Sequence, residues 1–430
     1  MNINQVNNRK FIVAYAVFFS IFLMFFGCTG KKTASIAVEQ EQKSNIINLD
    51  DAFVDIREVL LSDIADSVSF IPLETKPNSL IIGPGCVFFL SYIYNAPVGY
   101  FDWTGKYIGK VIRAGQGTYE EPGNGIYGDV IFKGNRIYSK SSKLIEYDST
   151  GAPTGKVRYL YDPTEFSYNG DFRVSAEFFN AGKNLAIYSY PNLIYFIDTA
   201  NFETIGSRLV AGTDSLKPDL NPIGKNYITY YKDKPVFYNF VNDTIFYVTD
   251  KGLEPQWIVS FTGKQRLSEE ALLLHTDVML IEVLSALKSG TSLEDTKRVK
   301  LLDNKHIAYG VYETDSYIFF PMHELVPLAE ARRKDKKNPY IVIFDKSTHE
   351  TFRVKGDGFV DDFLGMNLFY PKNSIFEEKL ISSIWPFELF DYIEECRKAG
   401  RDINPQLLAL SKTLKDDDNP ILILVHLKKK

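Results

Sequence analysis

The chain has 430 residues, 45% of them apolar, with 26 Tyr, 32 Phe and a formal net charge of −5. That length buries a large core, and the mild acidity excludes the basic footprint of a nucleic-acid binder. Three cysteines and five scattered histidines give no zinc spacing, and His323-Glu324-Leu325-Val326-Pro327 lacks the second His of a zincin helix.

The first 27 residues read as an address. Arg9 and Lys10 precede the apolar run Phe11 to Phe26, which is short for a membrane span. Gly27-Cys28 at its end has the order of a lipoprotein signal, so Cys28 is the expected lipidation site and mature N-terminus. Cleavage removes two basic and no acidic residues, leaving 403 residues with net charge −7. Residues 28–48 are polar and read as a flexible tether, with a reach of roughly 25 Å. Membrane contact is expected through the lipid only. Thr29 rather than Asp after Cys28 points to the outer membrane on its periplasmic side, with surface display open.

Residues 49–430 form the folded part. The first strand is Val68 to Leu73. A strand-turn-strand unit then recurs about every 50 residues: PVGYFDWTGKYIGKV from Pro97, KLIEYDSTGAPTGKV from Lys143, LIYFIDTANFETIG from Leu193, TIFYVTDKGLEPQWIV from Thr244 and YIVIFDKSTHETFRV from Tyr340. Strand repeats of this length are propeller blades, and aromatic side chains suit the space between packed sheets. The units place blades at Ile81–Arg113, Asp129–Arg158, Phe172–Val210, Tyr227–Phe261 and Val299–Val354, with a sixth beginning near Gly358. Helices are expected at Ser268–Lys288, Pro386–Lys398 and Pro405–Leu414. The basic run Arg332 to Lys337 reads as a solvated loop. Ile421 to Leu427 is the last strand. Strands at both ends of the mature chain are what a shared closing blade requires, because an open ring leaves two sheet edges. The expected fold is all-β, a single six-bladed β-propeller with N/C-terminal strand closure and helical insertions in the second half.

The segments Ser69-Phe70-Ile71-Pro72-Leu73-Glu74-Thr75, Ser79-Leu80-Ile81, Lys110 to Gly117, Asn242-Asp243-Thr244-Ile245-Phe246 and Asn419-Pro420-Ile421-Leu422-Ile423 carry a resemblance. They resemble six-bladed β-propeller lipoproteins of Gram-negative gut-type bacteria, which are NHL-repeat-like and mostly of unassigned function. The resemblance implies a cell-envelope propeller. The chain departs from that group at Thr118 to Pro122, where Pro-Gly-Glu-Tyr is usual after the glycines.

Candidate ligand-binding residues fall in three places. The loop Arg113-Ala114-Gly115-Gln116-Gly117-Thr118-Tyr119-Glu120 could present backbone N–H groups to a carboxylate or phosphate, with Arg113, Gln116, Tyr119 and Glu120 as contacts. It equally reads as a tight structural crossing braced by Arg113. Asp357, Asp361 and Asp362 could bind a cation or serve as an acid and base, yet they lack calcium-loop spacing and read equally as solvated loop carboxylates. Trp103 sits in a hairpin turn, where an indole suits sugar stacking. Acidic neighbours such as Glu120-Glu121 carry no weight by adjacency alone, and no Gly-x-Ser-x-Gly elbow occurs. Cys86 and Cys396 read as unpaired. The expectation is a lipid-anchored, non-enzymatic protein that binds a carbohydrate, peptide or protein on one propeller face, with no metal, cofactor or nucleic acid. The alternative is a lyase-type or glycosidase-type propeller enzyme with its site in the central channel.

Overall fold

The computed structural model describes residues 45–81, 99–111, 115, 117–120, 129–140, 143–160, 176–189, 193–209, 227–238, 243–264, 305–308, 310–325, 339–365, 368–371 and 374–429, with 87–88, 93–95 and 266. Two compact units divide the chain after Ile46. Of the first, only Asn45 and Ile46 are described, and the fold is that of Ile47–Lys430.

The chain opens with β1 (Ile46–Asn48), a 3-10 turn (Leu49–Phe53), β2 (Ile56–Arg57), a single helical turn α1 (Leu61–Ile64) and β3 (Ala65–Pro72). Antiparallel sheets follow in chain order. The first holds β4 (Val87–Phe88), β5 (Ile93–Asn95), β6 (Gly99–Phe101) and β7 (Tyr107–Gly109). The second holds β8 (Asp129–Lys133), β9 (Arg136–Lys140), β10 (Lys143–Asp148) and β11 (Pro153–Tyr159). The third holds β12 (Ala176–Ala181), β13 (Asn184–Ser189), β14 (Leu193–Ile197) and β15 (Thr204–Leu209). In the fourth, β16 (Tyr227–Tyr231), β17 (Lys234–Tyr238), β18 (Thr244–Thr249) and β19 (Gly252–Ser260) gain β1 at the β19 edge. In the fifth, β20 (Lys305–Ala308) and β21 (Tyr312–Glu313) both pair β22 (Tyr317–Leu325). Then β23 (Pro339–Asp345) and β24 (Glu350–Val354) follow, and β2 adds in parallel at the β24 edge. A ribbon of β25 (Phe359–Val360) and β26 (Leu368–Phe369) leads to the last sheet: β27 (Ser374–Phe376), β28 (Lys379–Ile384), β29 (Ile421–Leu427) and β3. Helices α2 (Pro386–Ala399) and α3 (Pro405–Ser411) lie between β28 and β29.

Each sheet buries its faces against the next, and the series closes on itself as in a propeller. Tyr100, Val130 and Tyr147 join the first sheet to the second, Tyr188 and Phe237 the third to the fourth, and Phe319 and Ile423 the fifth to the last. Ile71, Leu424 and Phe101 join the last sheet back to the first. The closing ladder runs antiparallel from Ile421↔Pro72 to His426↔Ser67. Strand β29 does not alternate in polarity, since Ile421, Ile423 and Val425 face one interface while Leu422 and Leu424 face the other.

The repeat itself is a turn device. Asp148 Oδ1 accepts the Thr150 N–H (2.8 Å), the Thr150 hydroxyl (2.6 Å) and the Ala152 N–H (3.0 Å). Asp102 and Asp345 likewise take three donors from their own turns, and Asp198 accepts the Ala200 N–H (2.7 Å). These donors, the Thr150 hydroxyl first, hold the Asp148 carboxyl below the usual range. In the fourth sheet Thr249 takes this role through Lys251 N–H (3.2 Å), so Asp250 is not the equivalent residue. The preceding sheet receives the turn: Tyr100 Oη donates to Ser149 O (2.9 Å), and Lys156 Nζ donates to Thr199 O (2.7 Å). Gly105 (φ +85°) passes so close to Pro72 that a Cβ would lie 2.2 Å from its carbonyl oxygen.

The expectation of six full blades is corrected to five. Among the described residues the second, third, fourth, fifth and last sheets are the blades, and β4–β7 lies at the place of the first expected one. Gly99 (φ +140°) opens β6, and its register with β7 shifts between Tyr100 and Phe101. Ile46–Asn48, at the end of the stretch read as tether, is a strand with Ile47 fully buried. The expected helices at Pro386 and Pro405 form, the second stopping at Ser411. Residues 268–288 and 332–337 lie outside the described residues, as does Cys86, while Cys396 is a buried free thiol.

Candidate functional site

The loop after the first sheet is fastened from below. Gly117 N–H donates to Glu120 Oε2 (2.9 Å), and Glu120 N–H returns to Gly117 O (3.1 Å). Buried Lys143 then donates to Gly117 O (2.8 Å), Thr118 O (3.3 Å) and Glu120 O (2.7 Å). Tyr119 Oη reaches Gly155 O (3.3 Å). Tyr119 and Glu120 are therefore part of a turn held by a lysine ammonium, and the Glu120 carboxylate itself closes that turn. Arg113 and Gln116 lie outside the described residues, as does Cys28.

The three aspartates do not converge. Asp361 is buried and accepts the N–H groups of Phe363 (3.1 Å) and Leu364 (2.8 Å). Asp362 is exposed and accepts Ser62 N–H (3.0 Å), pinning α1. Asp357 is exposed. Among the described residues, no group of three or more His, Cys, Asp or Glu has the geometry to hold a metal. Trp103 is half-buried, stacked on Phe376 with ring centroids 5.6 Å apart and planes within 14°. It bridges the first sheet to the last.

Two polar groupings emerge that sequence spacing does not show. At the fourth and fifth sheets, Glu313 has a side chain 2% exposed and binds Lys346 Nζ (2.7 Å) and Trp257 Nε1 (3.3 Å). Lys346 also donates to Thr314 O (2.6 Å), and its ammonium lies 4.7 Å from the Tyr231 ring centroid. Burial, then Glu313, pushes the Tyr247 hydroxyl up. Elsewhere in this interface His306 Nδ1 and Tyr340 Oη are 2.9 Å apart, with the Phe53 ring edge-on to the imidazole at 4.9 Å. The Arg353 guanidinium lies 3.8 Å from the Tyr340 centroid. Burial, then Arg353, lowers the imidazole pKa to about 4, so His306 is neutral at pH 7. The first grouping ties the fourth sheet to the fifth, with Glu313 Oε2 left buried and without a hydrogen-bond partner, whereas the second joins strands within the fifth sheet.

Residues 44–426 match the family described as Domain of unknown function (DUF4934). The chain belongs to this family. No curated protein matches it. Its fold is shared by a Bacteroides fragilis protein that carries the provisional name of an exported protein, at TM-score 0.58 and 16% identity, over 89% of this chain and 99% of that one. The virginiamycin B lyase of Staphylococcus aureus aligns at TM-score 0.28 and 10% identity over 67% and 74% of the two chains. The glutaminyl cyclase of Myxococcus xanthus aligns at TM-score 0.28 and 12% identity over 63% and 95%.

In this DUF4934 chain, segments that carry the sequence resemblance meet at Asn419, which is 1% exposed. Its Nδ2 donates to Ser79 O (2.7 Å) and Glu74 O (2.9 Å), and its Oδ1 accepts Ile81 N–H (2.8 Å). Asn419 N–H donates to Thr75 Oγ1 (2.8 Å). Glu74 Oε2 in turn accepts Tyr107 N–H (3.0 Å). The most distinctive residues of the sequence thus form the clip that fastens the C-terminal strand to the first sheet. Lys143 and Lys346 escape sequence reasoning because each lies in a repeat unit, where it reads as one more strand-edge or turn residue.

Proposed function

We propose that this DUF4934 protein is a lipid-anchored cell-envelope propeller that binds a ligand or partner on one face and does no chemistry on it. The observation that carries the reading is the half-exposed indole of Trp103, presented on a fixed hairpin turn and backed by Phe376. Aromatic rings held rigidly at a surface are economical binding groups, because little conformational freedom is lost on binding. The titratable groups that an enzyme would deploy are engaged otherwise: Lys143 on three carbonyls, Glu313 on Lys346, and His306 on Tyr340. The Arg9-Lys10, apolar and Gly27-Cys28 order supports export and acylation, with the outer membrane as the destination.

The test incubates the mature chain with size-fractionated envelope glycans and peptides. A binding protein retains a component of unchanged mass and melts at a higher temperature with it. Products of new mass would overturn the non-enzymatic reading in favour of the lyase-type or glycosidase-type alternative. Mass spectrometry of the membrane fraction checks the anchor, and an unmodified Cys28 refutes it.

A further inference from the structure

At the junction of the fourth and fifth sheets, Lys346 sits in a cage of the kind that recognises cations. Its ammonium lies 4.7 Å from the Tyr231 ring centroid and 5.7 Å from that of Trp257. Glu313 Oε1 accepts from it at 2.7 Å and Thr314 O at 2.6 Å. Two aromatic faces beside a buried carboxylate are a means of holding an organic cation. The walls come from separate elements: Tyr231 ends β16, Trp257 lies on β19 and Glu313 ends β21. Lys346 enters from the turn after β23, and that turn is fastened without its side chain. Asp345 Oδ1 accepts the Ser347 N–H (2.8 Å), the Ser347 hydroxyl (2.6 Å) and the Thr348 N–H (3.4 Å), and Asp345 O accepts the His349 N–H (2.8 Å). Withdrawal of the Lys346 side chain therefore leaves the turn in place. Ser347, Thr348 and His349 are exposed and the Lys346 side chain is 16% exposed, so the cage meets solvent at this turn.

The ammonium fits this cage incompletely. Lys346 Nζ and Trp257 Nε1 (3.3 Å) both donate to Glu313 Oε1, whereas Glu313 Oε2 is buried and has no hydrogen-bond partner. A guanidinium presents two parallel N–H groups and satisfies both oxygens of a carboxylate at once. It is also planar and more weakly hydrated than an ammonium, which suits it to lie against aromatic rings. A carboxylate with one bare oxygen between two rings therefore favours a guanidinium over its present occupant. The surroundings are anionic as well. Asp315 binds Lys232 (2.5 Å), its N–H donates to Glu378 Oε1 (2.8 Å), and Glu378 Oε2 is a second buried oxygen without a partner. Glu313, Asp315 and Glu378 thus face two ammonium groups, Lys346 and Lys232.

We propose that Tyr231, Trp257 and Glu313 form a guanidinium-binding cage, occupied in the free protein by Lys346, from which a ligand guanidinium displaces that lysine. The proposal rests on the binding reading above and names a chemistry for the partner. The probes are ethylguanidinium and the peptide acetyl-Ala-Arg-Ala-amide, titrated into the mature chain by calorimetry while acetylation of Lys346 is followed by mass spectrometry. At least one probe is expected to bind and to turn Lys346 from protected to reactive, and acetyl-Ala-Gln-Ala-amide to do neither. Tighter binding of the peptide assigns the cage to an arginine of a protein partner, and tighter binding of ethylguanidinium to a small guanidine. Lys346→Met removes the competitor and is expected to bind the probe at least tenfold more tightly. Lys346→Arg supplies the guanidinium from within; it is expected to melt no lower than the parent and to lose probe affinity at least tenfold, which separates lost binding from lost folding. Lack of binding of both probes to the parent overturns the cage, as does binding that leaves Lys346 protected or that is unchanged in Lys346→Arg. If fractionated envelope material binds while both probes do not, only the guanidinium assignment fails and the binding reading survives.

Discussion

Asn419→Ala is the sharpest test of how the ring is closed. The side chain satisfies Ser79 O, Glu74 O and Ile81 N–H at 2.7, 2.9 and 2.8 Å, and it is 1% exposed. Alanine leaves three polar backbone groups without their partner at a site that water enters poorly. Each net bond is worth about 1 kcal/mol, and each stranded buried group costs about 1–3 kcal/mol. The total is therefore roughly 3 kcal/mol or more, against a typical net stability of about 5–15 kcal/mol. Roughly 380 folded residues at about 2.1 cal/mol/K each give an unfolding entropy near 0.8 kcal/mol/K, so the melting temperature should fall by about 4 °C. Circular dichroism at 218 nm during a thermal ramp, with urea unfolding alongside, reads this directly. Asn419→Asp should be at least as damaging, because it keeps the acceptor, loses both donors and buries a charge. A shift below about 1 °C for the alanine variant would mean that Asn419 does not fasten the C-terminal strand.

Deletion of Asn419–Lys430 should prevent folding outright, since Ile421 to Val425 are each no more than 4% exposed and each buried aliphatic side chain is worth about 1.5–3 kcal/mol; soluble yield and analytical size exclusion check it, and a monodisperse product refutes it. Acid should weaken the fold through His306: the unfolded imidazole takes a proton as pH falls through about 6.5, whereas the folded one resists until about 4. Stability is therefore full above pH 6.5 and declines between the two values by at most about 3 kcal/mol. His306→Gln should flatten that window in a urea titration series, and an unchanged slope argues against the buried neutral ring. Lys346→Met should cost about 3–5 kcal/mol by stranding the Glu313 carboxylate, and adding Glu313→Gln should recover part of it; equal melting temperatures for single and double variants would contradict the pairing.

Much of the architecture is legible because strands, turns and closure each leave a local mark. The Asp of the repeat predicts its turn through a chemistry confined to five residues, and Ile421 to Val425 advertises a strand buried on both faces by its unbroken apolar run. The irregularity of the first sheet is hidden, because Tyr100 and Phe101 have full strand character and nothing in their sequence marks the register shift between them. Strands β1 and β2 are hidden for the opposite reason. At three and two residues they carry too little pattern and exist only where the edges of β19 and β24 receive them. Site reading fares worse, since Trp103 is identifiable from its turn, but the contacts of Glu313 with Lys346 and Trp257 depend on which strands the fold brings together.

The closing ladder also sets a timetable. Ser69 and His426 touch although they stand 357 positions apart, so the strand made early waits for the strand made late. At about 5–20 residues per second, that wait is tens of seconds of synthesis. Until then β3 has an unpaired edge, and β28 also lacks its neighbour. The ring therefore stays open until nearly all of the propeller has been made, and the apolar faces that β29 covers on β3 and β28 wait through that interval.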